Sequence, residues 1–251
     1  MRVLLLSDIH ANYEALDACI EAAPPYDLAI NLGDVVGYGA SPNEVIERTR
    51  EICRFHVRGN HDKACAGAMS LEGFNPIAAL AAVWTREALS AENLAWLRAL
   101  ASGPLTVPEL PNVQFVHGSP LDEDEYVISV TDALQPLLAL PLAVTFFGHS
   151  HLQGGFSLYQ DRGSEIHPQI DAGNELDHSE LQLNRNARYL INPGSVGQPR
   201  DGDWRSGFAV YDSDHSTVEF YRAPYDVDSA SRRILDAQLP ERLASRLMIG
   251  R

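Results

Sequence analysis

The chain has 251 residues, 45% hydrophobic and 21% charged, with a formal net charge of −15. Those proportions belong to a folded globular protein, and no apolar run approaches the roughly 20 residues that a membrane-spanning helix requires. An acidic surface repels nucleic acid and anionic lipid, so both are disfavoured as partners, and any phosphate-handling site must be made locally positive by something other than Lys and Arg.

Arg2 to Ser7 is a nearly continuous apolar run, as expected of a strand buried on both faces, and it ends in Asp8-Ile9-His10. So short an apolar run behind one basic residue does not make a signal peptide, and Cys19, Cys53 and Cys65 show no paired spacing. Both features point to a reduced, cytoplasmic setting. Asn12 is placed to cap a helix whose Ala15, Leu16, Cys19 and Ile20 share a face, and Pro24-Pro25 stops it. Asp27 to Leu32 is a second strand, ending in Gly33-Asp34. Ser41-Pro42 opens a second helix, Asn43 to Glu51. Cys53 to Arg58 is a third strand, and Gly59-Asn60-His61-Asp62 after it reads as a polar turn.

Ile77 to Leu89 and Ala91 to Leu100 carry amphipathic spacing, with Ser90 as a cap between them. They form a helical insertion at about 70–110 in which Trp84 and Trp96 pack as core. Val113 to Val116 is a fourth strand, ending in His117-Gly118-Ser119, and the acidic segment Leu121 to Tyr126 follows as a loop. Thr131 to Ala139 is helical, and Ala143 to Phe147 is a fifth strand ending in Gly148-His149-Ser150-His151. From there the pattern changes from βα units to hairpins, with strands at Gly155 to Tyr159, Leu181 to Leu183, Tyr189 to Ile191, Gly207 to Asp212 and Thr217 to Tyr221. Residues 160 to 180 read as an exposed loop and Asn192 to Arg200 as a dense turn cluster. A helix at about 227–248, interrupted near Pro240, closes the chain. Without an internal repeat or a linker, residues 1–251 read as one α/β domain, which some schemes would class as α+β.

Each of the first five strands ends in a potential metal ligand: Asp8 and His10, Asp34, Asn60, His117, then His149 and His151. The βαβαβ rhythm implies a parallel sheet, in which such carboxyl ends share one edge. One Asp or His at a strand end is an ordinary turn residue; recurrence at all five points to a metal site. Three or more imidazoles, two carboxylates and an amide oxygen exceed what one tetrahedral zinc can use. They suit two divalent transition metals from among Mn, Fe, Co, Ni and Zn, about 3.5–4 Å apart, with one Asp bridging. Two such ions outweigh two carboxylates and a hydroxide by roughly one positive charge, which gives an acidic protein a site attractive to phosphate.

The motifs Asp8-Ile9-His10, Gly33-Asp34, Gly59-Asn60-His61-Asp62, His117 and Gly148-His149-Ser150-His151 follow one another in the order of a known family. Over roughly residues 1 to 222 the sequence resembles the calcineurin-like metallophosphoesterases. Its Asn192-Pro193-Gly194-Ser195 stretch looks like their small bacterial and archaeal phosphodiesterase members. The resemblance implies two facing β-sheets in a sandwich flanked by helices. It implies that Asp8, His10, Asp34 and His151 hold one metal, manganese among the candidates, and that Asp34, Asn60, His117 and His149 hold the other. His61 would sit over the substrate phosphate as general acid, with Asp62 orienting it, and Arg200 is a candidate substrate contact. A metal-bridging hydroxide would then attack the phosphorus of a small phosphate ester in line. Protein phosphatases and dinucleoside polyphosphate hydrolases of the superfamily carry an arginine shortly after the second motif, whereas Gly33 to Gly39 here has none. That favours a phosphodiester, with a phosphomonoesterase or polyphosphate hydrolase as the alternative. A retromer subunit uses this fold as a non-catalytic scaffold, but the complete ligand set and His61 favour an enzyme. Homo-oligomerisation is compatible with this reading. Cys65 and Ser119 are not needed as nucleophiles, and His56, His167, His178 and His215 match no motif.

Overall fold

The first strand, β1 (Arg2–Leu6), is apolar because it is covered twice: Leu4 and Leu6 face helices, while Val3 and Leu5 face a second sheet. The computed structural model describes residues 1–139 and 142–251. After β1 come α1 (Tyr13–Ala22), β2 (Leu28–Asn31), α2 (Pro42–Ile52), β3 (Phe55–His56), α3 (Asn60–Ala66), α4 (Pro76–Ala88) and α5 (Ala91–Ala99). Then follow β4 (Leu105–Thr106), β5 (Val113–Phe115), α6 (Val130–Ala139), β6 (Val144–Phe146), β7 (Gly154–Tyr159), β8 (Arg162–Ile166) and β9 (Asp177–Gln182). The chain ends in β10 (Arg188–Asn192), β11 (Ser206–Asp212), β12 (Thr217–Ala223), α7 (Val227–Asp236), α8 (Glu241–Ser245) and a single 3-10 turn, Leu247–Ile249.

Two six-stranded sheets result, in the orders β3-β2-β1-β11-β12-β9 and β4-β5-β6-β10-β7-β8. They face each other across a core that includes Val3, Leu5 and Ile30 from the first and Phe115, Phe146 and Ile191 from the second. The outer face of the first sheet is covered by helices through Leu16, Ile46 and Ile234, and that of the second by α6 through Ala133 and Leu137. This is the α/β sandwich flanked by helices, with βα units in the first half and mostly hairpins in the second.

Three expectations need correction. The five ligand-bearing strands do not share one parallel sheet: β1, β2 and β3 lie in the first, β5 and β6 in the second. Both sheets are mixed, because hairpin strands of the second half of the chain join each; β11 runs antiparallel beside β1 and β7 antiparallel beside β10. Residues 160 to 180 are not all loop. β8 and the start of β9 occupy sheet edges, where half the side chains face solvent and a polar sequence costs nothing. Gly59-Asn60-His61-Asp62 is not a turn but the start of α3, with Gly59 as N-cap. Among the described residues no helix is long and apolar enough to cross a membrane.

Candidate metal centre

The loops after β1, β2 and β6 are unusual in their backbone. Asp8, His10, Asp34, His149 and His151 adopt positive φ of 53°, 49°, 54°, 65° and 60°, a conformation costing side-chain-bearing residues on the order of 1 kcal/mol or more each. Dense hydrogen bonding holds them there. Asp8 N–H donates to Gly33 O at 3.0 Å, His10 N–H to Asp34 O at 3.0 Å and Gly148 N–H to His117 O at 2.7 Å. The Asn192 to Ser195 turn braces the same loops: Ser195 Oγ donates to Asp8 O at 2.8 Å and Asn192 Nδ2 to Gly148 O at 2.8 Å. Gly33 needs its own positive φ of 105°. Gly59 does not, at φ −95°; there a Cβ would stand 2.1 Å from Asp34 Oδ1, so glycine is required by close approach alone.

Each of four imidazoles is fixed from behind by a backbone carbonyl. The Nδ1 atoms of His10, His117 and His151 meet Val36 O at 3.2 Å, Leu32 O at 3.0 Å and Gln198 O at 2.5 Å. His149 meets Asp124 O through Nε2, at 3.2 Å. Donation to a carbonyl sets the tautomer and leaves a lone pair on the other ring nitrogen. The freed Nε2 atoms of His10 and His151 are 3.1 Å apart. With both rings donating rearward, two lone pairs face each other, an arrangement a shared cation resolves. The charged partners agree: His151 Nε2 lies 3.3 Å from Asp8 Oδ1, and Asp34 Oδ2 lies 3.7 Å from His10 Nε2 and 3.4 Å from His117 Nε2. Asp34 Oδ2 is buried with no hydrogen-bond partner, which a carboxylate tolerates only beside a cation.

Two clusters of ligand atoms are thereby positioned for divalent metal ions: Asp8, His10, Asp34 and His151, and Asp34, His117 and His149, with Asp34 common to both. Asn60 Oδ1 reaches the second, 3.2 Å from His117 Nε2. Burial pushes His10 and His151 well below the ordinary imidazole range, and His149 to about 3, so these rings are neutral and able to ligate. At His117 burial acts the same way and is the largest single influence, but the charge and hydrogen bond of Asp34, the Asp8 charge and the Leu32 carbonyl together outweigh it and raise the ring to about 9. Asp34 itself is held well below its usual range, its burial being outweighed by His117 and the other imidazoles.

His61 belongs to neither cluster. It is buried, its Nδ1 has no partner, and its ring stands edge-on to His10 at 4.9 Å between centroids. Asp62 is not behind it, contrary to expectation. Both Asp62 oxygens are taken by backbone: Gly59 and Asp34 N–H donate to Oδ2 at 2.9 Å each, Val35 and Val36 N–H to Oδ1 at 2.9 and 3.3 Å. At the third position of α3 a carboxylate lies next to free N–H groups, and those donors outcompete the imidazole. Asp62 therefore ties the Asp34 loop to α3.

Two aromatic residues not anticipated from sequence flank the clusters. Tyr38, itself at φ 62°, lies 4.7 Å from His10 and 4.3 Å from His61, and Tyr126 stacks on His149 at 3.8 Å. In the acidic loop carrying Tyr126, two of the four carboxylates, Glu123 and Asp124, are paired with cations. Lys63 binds Glu123 at 2.9 Å and Asp124 at 2.6 Å, and Arg58 reaches Glu123 at 3.2 Å. Arg200 lies beside the first cluster but turns to Tyr38 Oη at 3.4 Å and Gln198 Oε1 at 3.3 Å. No sequence pattern marks Tyr38 or Tyr126, since each earns its place only through neighbours distant in the chain.

The sequence profile of the calcineurin-like phosphoesterase superfamily domain matches residues 1–216. An uncharacterized protein of Methanocaldococcus jannaschii is 35% identical, the alignment covering 99% of this chain and 98% of that protein. A metallophosphoesterase from Sphaerobacter thermophilus superimposes with a TM-score of 0.86 at 36% identity, covering 100% of this chain and 99% of the other. A hypothetical protein from Pyrococcus horikoshii shares the fold, with a TM-score of 0.74 at 20% identity over 100% of this chain and 98% of its own.

Proposed function

The chain belongs to the calcineurin-like phosphoesterase superfamily, and from that premise we propose that it is a phosphodiesterase using two divalent transition metals, drawn from Mn, Fe, Co, Ni and Zn. In this reading Asp8, His10, Asp34 and His151 hold one cation, and Asp34, Asn60, His117 and His149 hold the other. Bound there, the pair supplies Lewis acidity and a water acidified toward neutral pH. The rest falls to the chain itself. His61, buried beside the first cluster and held neutral, is the group placed to donate a hydrogen bond to the departing oxygen. The buried clusters exclude bulk water, and Tyr38 and Tyr126 bound the approach.

The observation that favours a diester is the cavity of about 560 Å³ on the far side of those two rings. A diester needs room for a second substituent on phosphorus; a monoester does not. Arg200, turned onto Tyr38, also presents no fork to the clusters for a dianionic phosphoryl group.

The test is chelated protein reloaded with each metal and assayed on bis(p-nitrophenyl) phosphate and p-nitrophenyl phosphate. The expected outcome is no turnover without metal, a faster rate on the diester, and a fall in kcat of about 10²-fold or more for His61→Ala. A faster monoester rate would make the protein a phosphomonoesterase, and equal turnover by His61→Ala would remove that residue from the reaction.

A further inference from the structure

The cavity beside the metal centre is lined by Tyr38, Asn75, Ile77, Tyr126, Leu243, Ser245 and Ile249 together with four arginines, Arg200, Arg242, Arg246 and Arg251. No Asp or Glu side chain lines it, in a protein with 34 acidic residues against 19 basic ones. Elsewhere, among the described residues, eight of the other fourteen arginines pair with a carboxylate, for example Arg48 with Glu51, Arg54 with Glu109, Arg205 with Asp203 and Arg222 with Asp201. Among the described residues no carboxylate side chain lies within 4.0 Å of Arg200, Arg242 or Arg246.

These charges are also crowded. The guanidinium carbons of Arg200 and Arg246 stand 5.9 and 6.0 Å from the centroid of the single Tyr38 ring. Arg200 Nε is buried with no partner, and Arg246 is held in place by the carbonyl of Arg251. Burial comes first and the charges of Arg200 and Arg242 second in lowering the Arg246 pKa, so the cluster resists its own assembly. Arg246 has the Arg251 oxygen and the exposed Arg242 has water, but the buried, unpartnered Nε of Arg200 among these like charges points to an anion as the cavity's ligand. Tyr38 joins this cavity to the clusters, its ring 4.7 Å from His10 and 4.3 Å from His61. Arg242, Arg246 and Arg251 lie beyond residues 1–216, so the shared superfamily domain does not account for them.

We propose that the arginine-lined cavity binds a second phosphate carried by the substrate, on the ester substituent remote from the scissile bond. The proposal rests on the diesterase reading above. The guanidinium fork matches phosphate oxygens, and Arg200, Arg242 and Arg246 together supply the charge for a dianion. The exposed Tyr126 and the edge of the buried Tyr38 line the cavity where the organic group linking the two phosphates would lie.

The probes are the p-nitrophenyl phosphodiester of thymidine with and without an additional phosphate on the sugar. Scissile bond and leaving group are the same in both. The metal-loaded wild type is expected to favour the doubly phosphorylated ester by about tenfold or more in kcat/KM, through KM. That ratio should fall toward one in Arg246→Gln and drop in Arg242→Gln. Equal kcat/KM for the two esters in the wild type, or a preference surviving both substitutions, overturns the proposal. If neither ester is hydrolysed, the diesterase reading fails by itself. Calorimetric binding of thymidine bisphosphate against thymidine monophosphate, in wild type and Arg246→Gln, then decides the subsite: a preference lost in the variant supports it, and no preference sinks it.

Discussion

A carboxylate that accepts four backbone N–H groups is a structural fastener, and Asp62 does so for Gly59, Asp34, Val35 and Val36. Its effect on chemistry passes through Asp34, the residue common to both clusters, whose Oδ1 also accepts the His61 N–H at 2.8 Å. Asp62→Ala leaves buried donors unsatisfied, and at about 1–3 kcal/mol for each the loss of stability should reach at least about 3 kcal/mol. Metal affinity should fall with it, because the Asp34 loop would relax out of its positive φ. Urea denaturation and metal titration of the variant test both. A variant of normal stability and metal affinity, with kcat alone reduced, would restore Asp62 to a role on the imidazole.

At the scale of elements, α3 links two tasks. Its first residues, Asn60 and His61, face the centre, and Lys63, one turn on and 8% exposed, holds Glu123 and Asp124. That loop delivers Asp124 O and the Tyr126 ring to His149. Lys63→Met should therefore weaken the cation at the His117 and His149 cluster by about 10–100-fold while sparing the other, as loss of an outer-shell partner does. Isothermal titration would resolve one tight and one weakened site; two unchanged sites would show that the loop holds without Lys63. Little of this element was legible beforehand. The apolar run to Val57 reveals the strand end, and ligand types at five strand ends reveal the centre, because buried strands and metal chemistry each restrict residue choice locally. That α3 begins at Asn60 is hidden because its seven residues carry no long amphipathic period. The edge strands β8 and β9 are hidden because half their side chains meet water, so their sequence reads as loop. The division of the five strands between two sheets is hidden because parallel order is local, whereas sheet membership depends on β10 and β11, far along the chain.

That division bears on the stability of the whole molecule. Asp8, His10, Asp34 and Asn60 follow strands of the first sheet, and His117, His149 and His151 follow strands of the second. Each cluster takes ligands from both, so a bound cation ties the sheets together at the edge where the sandwich is most polar. Without cations, Asp34 Oδ2 has only the His117 ring at 3.4 Å to balance it, and the facing Nε2 lone pairs of His10 and His151 repel. Metal that binds the folded chain and not the unfolded one adds about 2.7 kcal/mol at a hundredfold excess over its dissociation constant. For a chain of this size that is a rise in Tm of roughly 5–10 °C. Chelation should lower Tm by that amount and manganese or zinc should restore it. In His151→Ala, which breaks the inter-sheet link at the first cluster, only part of the shift should remain. A Tm indifferent to chelator would mean that the sandwich core, from Val3 and Leu5 across to Phe115 and Phe146, holds the two sheets in register unaided and that the centre exists for chemistry alone.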